Sequence, residues 1–130
     1  MKLRQFILAY YAVLFILFGL AGLLFPEEMA HLLHIGLTKP LAKMEYIATY
    51  GGLFTGLALF MFYCLHSNVI TGLVCVLLTM GGMFVSRMIG YFLYGDIDIV
   101  QIIYLAGELF TIVLISVLLL KDRAYSQPTA

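Results

Sequence analysis

Residues 69–94 have the sequence VITGLVCVLLTMGGMFVSRMIGYFLY, a long apolar run that contains a single charged residue, Arg87. A helix needs about 20 apolar residues to cross the hydrocarbon core of a bilayer, so this stretch is long enough to span a membrane. Three further runs of the same kind lie at about residues 6–25, 44–65 and 99–120. The sequence therefore predicts four transmembrane helices.

The overall composition indicates the same class of protein. Of the 130 residues, 64% are hydrophobic and 11% are charged, and the mean hydropathy is +1.08. Soluble domains carry about 25% charged residues. Because backbone groups in lipid must be hydrogen-bonded internally, spans of this kind are expected to be helical. We expect an all-α integral membrane protein in which one domain, residues 1–125, holds the four helices, and residues 126–130 form a flexible C-terminal tail.

The connections predict how the helices are arranged. Only a few residues separate the second span from the third and the third from the fourth, so these spans should be antiparallel neighbours. The first connection is longer, and Glu27, His31 and His34 share one helical face within it. Apolar side chains lie on the other side of this segment, which is typical of a helix in the membrane interface. We expect an up-down-up-down four-helix bundle with a short interfacial helix between helices 1 and 2.

The basic residues predict the orientation in the membrane. Lys2 and Arg4 precede the first span, and Lys121 and Arg123 follow the fourth. Since basic residues favour the cytoplasmic side, both termini are expected in the cytoplasm, although two lysines of the first connection oppose this count. The first run is longer than the apolar core of a signal peptide, so we expect it to be retained as a span.

Arg87 and Glu108 are charged residues inside the third and fourth spans. A charge at the centre of a bilayer costs at least about 2.5 to 3.5 kcal/mol, so such residues are paired, hydrated or functional. Arg87 lies eight residues before Gly95, and Glu108 lies nine residues after Ile99. At a rise of about 1.5 Å per residue, both are roughly 12 to 14 Å below the non-cytoplasmic boundary. The sequence predicts a buried bidentate ion pair between these two side chains.

Further polar residues at helical spacing predict a larger cluster around this pair. Tyr91 follows Arg87 by four residues, and Tyr104 precedes Glu108 by four. On the second span Glu45 and Thr49 share a face, with Tyr50 next to it. If the three helices bring these side chains together, they form a cavity in the non-cytoplasmic leaflet. The candidate ligand-binding or structural polar cluster consists of Arg87, Glu108, Tyr50, Tyr91, Tyr104, Glu45 and Thr49.

Three functions fit such a cluster. It could bind a small molecule or lipid, because intramembrane charges often mark functional sites. It could instead fix helix packing in a structural or accessory subunit of a membrane complex. An enzyme acting on a lipophilic substrate is the third alternative, and it would need a general acid or base open to the site. The expected partners are membrane lipids, a small lipophilic or anionic ligand, and a membrane protein or a second copy of the chain.

No motif in the sequence indicates a particular reaction. It has no glycine-rich phosphate loop, nucleophile elbow, HExxH zinc motif or nucleic-acid motif. Its formal net charge is zero, which gives no field for nucleic acid. Glu27, His31 and His34 could hold a metal, but the pattern lacks a fixed fourth ligand and an interfacial polar face explains it. We expect no metal, no cofactor, no nucleic-acid partner and no catalytic residue.

Small residues predict where helices approach each other closely. Gly52 and Gly56 form a GxxxG motif, and Gly82, Ser86 and Gly90 continue the four-residue spacing in the third span. Such motifs permit close backbone contact in lipid, either within the chain or in a dimer.

Short motifs along the chain resemble those of a known family. They are GLLFP at 22–26, YGG at 50–52 with Gly56, SRMIG at 86–90 with Gly95, and EL at 108–109. With these motifs nearly the whole chain resembles the bacterial domain-of-unknown-function family numbered 4345. The resemblance implies a four-span protein of the bacterial inner membrane without an assigned activity. The chain is also distantly similar to DoxX-type four-helix proteins, and that similarity implies no redox function here.

Overall fold

A computed structural model describes residues 2–96 and 98–125, with side chains as far as Lys121. Within these ranges the chain is helical and contains no β-strand. The helices are α1 (Lys2–Leu24), α2 (Pro26–Leu32), α3 (Pro40–Ser67), α4 (Val69–Tyr94) and α5 (Ile99–Tyr125). Four of them, α1, α3, α4 and α5, are long and apolar enough to cross a membrane. The predicted all-α fold of a multi-pass membrane protein is confirmed, and the predicted tail at 126–130 lies outside the described residues.

The chain divides into two compact units, with the boundary after Gly72. The first unit contains α1, α2, α3 and the beginning of α4. The second unit contains the rest of α4 and α5. A single domain for residues 1–125 stays a prediction.

The first unit is organised around the packing of α1 on α3. The buried face of α1 repeats at alternating steps of four and three residues, the spacing of a helix seam. This spacing relates Leu8, Ala12, Phe15, Gly19 and Gly22, and Ile7 and Tyr11 are buried as well. Phe15 stacks on Phe54 of α3, with ring centroids 5.2 Å apart. Gly22, later in α1, meets Gly51, earlier in α3. The two helices therefore run antiparallel.

The closest approach of these helices uses glycines other than the predicted ones. A Cβ atom added to Gly19 would lie 2.7 Å from the backbone nitrogen of Thr55. A Cβ added to Gly56 would meet no atom of the described residues within 4 Å, and the same holds for Gly82 and Gly90. The predicted close contact within the chain is therefore not made at these glycines, and the alternative of a dimer contact stays a prediction. Gly56 follows the contacting residue Thr55 by one position, which is about 100° around a helix and turns it away from α1.

A π-helical segment, Ile47–Leu53, interrupts α3 and was not predicted from the sequence. Three rings stack along it: the centroids of Tyr46 and Tyr50 are 4.6 Å apart, and those of Tyr50 and Phe54 are 6.1 Å apart. π-Helical segments are rare in proteins, and those that occur are often found at functional sites. Here the segment forms the part of α3 that packs on the end of α1, since Gly51 lies against Leu23.

The short helix predicted between the first two spans is present as α2, but it ends earlier than expected. His34 adopts a left-handed backbone conformation with φ 57°. The N–H of His34 donates to the carbonyl of His31, and the N–H of Ile35 donates to that of Ala30. This is the Schellman arrangement that ends a helix. His34 therefore does not continue the helical face of Glu27 and His31, and the predicted three-residue face is wrong.

The second span begins at Pro40, earlier than the predicted residue 44. Proline is favoured at the first helical position because its missing N–H has no helical partner there. The helix therefore includes Lys43, whose ammonium group forms an ion pair with Glu27 at the start of α2. This contact joins the two ends of the first connection.

We predict a small pH dependence from this ion pair. Hydrogen bonding and charge attraction from Lys43 lower the pKa of Glu27 from its ordinary value of 4.5. Because the folded-state pKa is the lower one, the pair stabilises the folded protein above pH 4.5, and this stabilisation is lost as the pH falls through the folded-state pKa. An NMR titration of the Glu27 carboxyl carbon should show its pKa rise in Lys43→Gln. The pKa should stay unchanged in Lys39→Gln, the matched control at the lysine just before Pro40. An unchanged pKa in Lys43→Gln would contradict the assignment.

Candidate functional site

Arg87 of α4 and Glu108 of α5 form a direct salt bridge inside the second unit. The Nε of Arg87 donates a hydrogen bond to Oε1 of Glu108 at 2.9 Å. The Glu108 side chain is only 5% exposed, whereas that of Arg87 is 23% exposed. The pair is therefore shielded on the carboxylate side and partly open on the guanidinium side.

Two other α5 side chains complete the surroundings of the guanidinium. Its Nη1 donates to Oε1 of Gln101 at 2.6 Å. Its carbon Cζ lies 4.9 Å from the centroid of the Tyr104 ring, within the range of a cation–π contact. We call Arg87, Gln101, Tyr104 and Glu108 the Arg87 cluster. The predicted ion pair between Arg87 and Glu108 is present, but it is not bidentate, because Nη1 of the guanidinium donates to Gln101 instead of Glu108.

The local sequence of α5 explains this arrangement. Gln101, Tyr104 and Glu108 are spaced by three and then four residues, so they lie on one face of the helix. Thr111 continues the same face and is buried, and its hydroxyl donates to the carbonyl of Gly107. Arg87 of α4 thus contacts three residues of α5 that lie on successive turns of one helix face.

The second carboxylate oxygen of Glu108 is the unusual atom of the cluster. Oε2 is buried and has no hydrogen-bond partner among the described residues. An ionised carboxylate can accept about four hydrogen bonds, and a buried acceptor without a partner costs about 1 to 3 kcal/mol or more. The cluster therefore contains a buried acceptor that a hydrogen-bond donor would satisfy.

The predicted site residues belong to both compact units. Arg87, Glu108 and Tyr104 lie together in the second unit. Tyr91 is in the same unit, but it is 41% exposed and its ring packs on Phe92, with the centroids 5.8 Å apart. The remaining predicted residues belong to α3 in the first unit: Glu45 and Thr49 are exposed, and Tyr50 stands in the aromatic stack. A cavity shared by all seven residues stays a prediction.

Comparison with known proteins identifies the family. The model of the family described as "Domain of unknown function (DUF4345)" matches residues 3–119, about nine-tenths of the chain. The chain belongs to the DUF4345 family. The matched segment contains the whole Arg87 cluster, so the cluster lies within the DUF4345 domain. No curated protein and no solved structure matches the chain. The likeness to DoxX-type proteins stays a prediction from the sequence.

Sequence reasoning missed Gln101, although a signal for it exists. Gln101 is an uncharged polar residue in the apolar fourth span of this DUF4345 domain, three residues before Tyr104 and seven before Glu108. A search of the Glu108 face for all polar residues, and not only for charges and tyrosines, would have found it.

The chemistry available to the cluster is hydrogen bonding. Guanidinium has five N–H donors, and two nitrogens of Arg87 are engaged by Glu108 and Gln101. The other N–H groups of Arg87 are therefore available as donors. Oε2 of Glu108, on the carboxylate that Arg87 contacts, is available as an acceptor. Among the described residues of the DUF4345 domain, no three His, Cys, Asp or Glu side chains are grouped to hold a metal ion.

Proposed function

We propose that this membrane protein binds the polar group of a lipophilic small molecule or lipid at the Arg87 cluster. The observation that carries the proposal is the buried, unpartnered oxygen Oε2 of Glu108. Between two apolar helices such an atom is costly, and a ligand that donates a hydrogen bond to it removes that cost. The partial exposure of Arg87 supplies a side from which a ligand approaches.

The distribution of charges supports a location for this site. Basic residues lie at the start of the first span and at the end of the fourth, which favours cytoplasmic termini in the bacterial inner membrane. Lys2 lies at the start of α1, and Lys121 lies at the end of the spanning part of α5. With this orientation, the Arg87 cluster is in the non-cytoplasmic leaflet. A ligand that partitions into lipid would reach the cluster from the membrane.

One observation favours a structural role as the second candidate function. All three partners of Arg87 lie on the same face of α5, so the cluster also fixes the register of α4 against α5. A buried polar contact of this kind can specify packing without binding any ligand. In a structural or accessory subunit, the cluster would stay closed and bind no ligand.

Binding of simple amphiphiles distinguishes the two functions. Tritiated 1-dodecanol, dodecanoate and dodecylammonium would be added to the protein in nanodiscs, and bound probe measured by scintillation proximity. We expect at least one probe to bind saturably to the wild type and to lose that binding in Arg87→Leu/Glu108→Leu. The double variant suits this purpose, because replacing both members of a buried pair by apolar residues is often neutral for stability.

Partitioning of the probes into lipid is the background of this measurement, and it is the same for both proteins. Gly56→Ala is the control variant, since its added methyl group contacts none of the described residues and its binding should equal that of the wild type. If no probe distinguishes the wild type from the folded double variant, the binding function is wrong and the structural role is favoured.

A further inference from the structure

We infer that the ligand of the Arg87 cluster presents a neutral hydroxyl group; this inference rests on the proposed function and names the ligand class for the same site. Two features carry it. The cluster is already neutral in total charge, and it offers an acceptor and donors at adjacent positions.

The charge of the cluster argues against an ionic ligand. Arg87 and Glu108 neutralise each other through their salt bridge, and Gln101 and Tyr104 add no charge. A carboxylate, phosphate or ammonium group entering the cluster would leave a net charge in the apolar region, which is strongly unfavourable. It would also compete with the existing pair, since an anion would draw Arg87 from Glu108. A neutral polar group preserves the pair.

The hydrogen-bonding pattern then selects among neutral groups. Oε2 of Glu108 is an acceptor only, so the ligand must donate to it. The guanidinium has N–H groups beyond those that donate to Glu108 and Gln101, so an acceptor on the ligand is also satisfied. A hydroxyl group donates one hydrogen bond and accepts others with a single oxygen. Ethers and ketones lack the donor.

The position of the cluster is consistent with a hydroxyl on an apolar chain. The cluster lies within two long apolar helices, and the Arg87 side chain is 23% exposed. A long-chain alcohol can therefore place its hydroxyl at Arg87 and its hydrocarbon tail among lipid chains. The class of ligand is a lipophilic alcohol.

The test adds one probe to the series, 1-methoxydodecane, which resembles 1-dodecanol but has no donor. We expect 1-dodecanol to bind the wild type about tenfold more tightly than the ether, the difference of roughly one hydrogen bond. Dodecanoate and dodecylammonium should bind more weakly than the alcohol. In Glu108→Gln, which replaces one carboxylate oxygen by an amide donor, the preference for alcohol over ether should disappear.

The outcomes separate this inference from the proposed function. If dodecanoate or dodecylammonium binds best and requires Arg87 and Glu108, the site binds a ligand but the alcohol class is wrong. If the alcohol and the ether bind the wild type equally, donation to Oε2 is also wrong. If no probe depends on the cluster, both the ligand class and the binding function fail.

Discussion

Replacement of Glu108 by leucine is expected to destabilise the protein by about 3 to 5 kcal/mol, the range observed when one member of a buried ion pair is removed. The reason is that Arg87 would lose the hydrogen bond from its Nε and remain as an uncompensated charge in an apolar region. Gln101 alone does not neutralise it. The free energy of unfolding would be measured by titration with SDS in mixed micelles, followed by circular dichroism.

Two further variants test whether the loss of stability comes from breaking the Arg87–Glu108 pair. Glu45→Leu removes an exposed carboxylate from α3 and should change the unfolding free energy by less than about 0.5 kcal/mol. Arg87→Leu/Glu108→Leu removes both charges and should recover most of the stability lost in Glu108→Leu. If Glu108→Leu is as stable as the wild type, or if the double variant is no more stable than the single one, the pair is not an energetically coupled unit.

Replacement of Gly19 by alanine should cost about 1 to 3 kcal/mol, because the new methyl group would overlap the backbone of α3. The Cβ would lie 2.7 Å from the nitrogen of Thr55, and a backbone atom cannot move aside as a side chain can. Gly51→Ala should cost less, since the atoms nearest its Cβ, at 2.6 Å, belong to the Leu23 side chain and can rotate away, and the nearest backbone atom, the nitrogen of Leu23, is 3.2 Å away. The same SDS titration measures both variants.

Gly56→Ala is the matched control for the glycine variants. Its methyl group would meet nothing within 4 Å in the described part of the chain, and alanine is the better helix former by about 1 kcal/mol. We therefore expect a neutral or stabilising effect. Equal losses for Gly19→Ala and Gly56→Ala would contradict the packing of α1 on α3 described above.

The sequence was sufficient to predict the helices, because the thickness of the hydrocarbon core determines how long an apolar run must be. The runs at about 69–94 and 99–120 correspond closely to α4 and α5. It was not sufficient for Ile47–Leu53, where the hydrogen-bond register changes to that of a π-helix. Apolar periodicity reports which residues face a partner helix and carries little information on that register. Motif spacing likewise indicated Gly56, whereas the contact is made by its neighbour Thr55.

At the candidate site, the sequence likewise indicated which charged residues are important but not how their side chains form hydrogen bonds. Because charges are rare in transmembrane helices, Arg87 and Glu108 stood out from the sequence, and their similar depth indicated a pair. How the guanidinium distributes its hydrogen bonds depends on side-chain conformation, and it is this distribution that engages Gln101 and leaves Oε2 of Glu108 without a partner. That oxygen, which no sequence pattern reports, now carries the functional proposal.

The most direct test of ligand binding at the Arg87 cluster is infrared difference spectroscopy of the Glu108 carboxylate. Spectra of the protein in nanodiscs would be recorded with and without saturating 1-dodecanol, with Glu108→Gln as the reference that lacks this carboxylate. We predict that the alcohol shifts a carboxylate stretching band of the wild type, that the shift is absent in Glu108→Gln, and that 1-methoxydodecane does not produce it. A carboxylate spectrum that does not change while the alcohol is bound would show that Glu108 does not receive the ligand and would contradict the proposal.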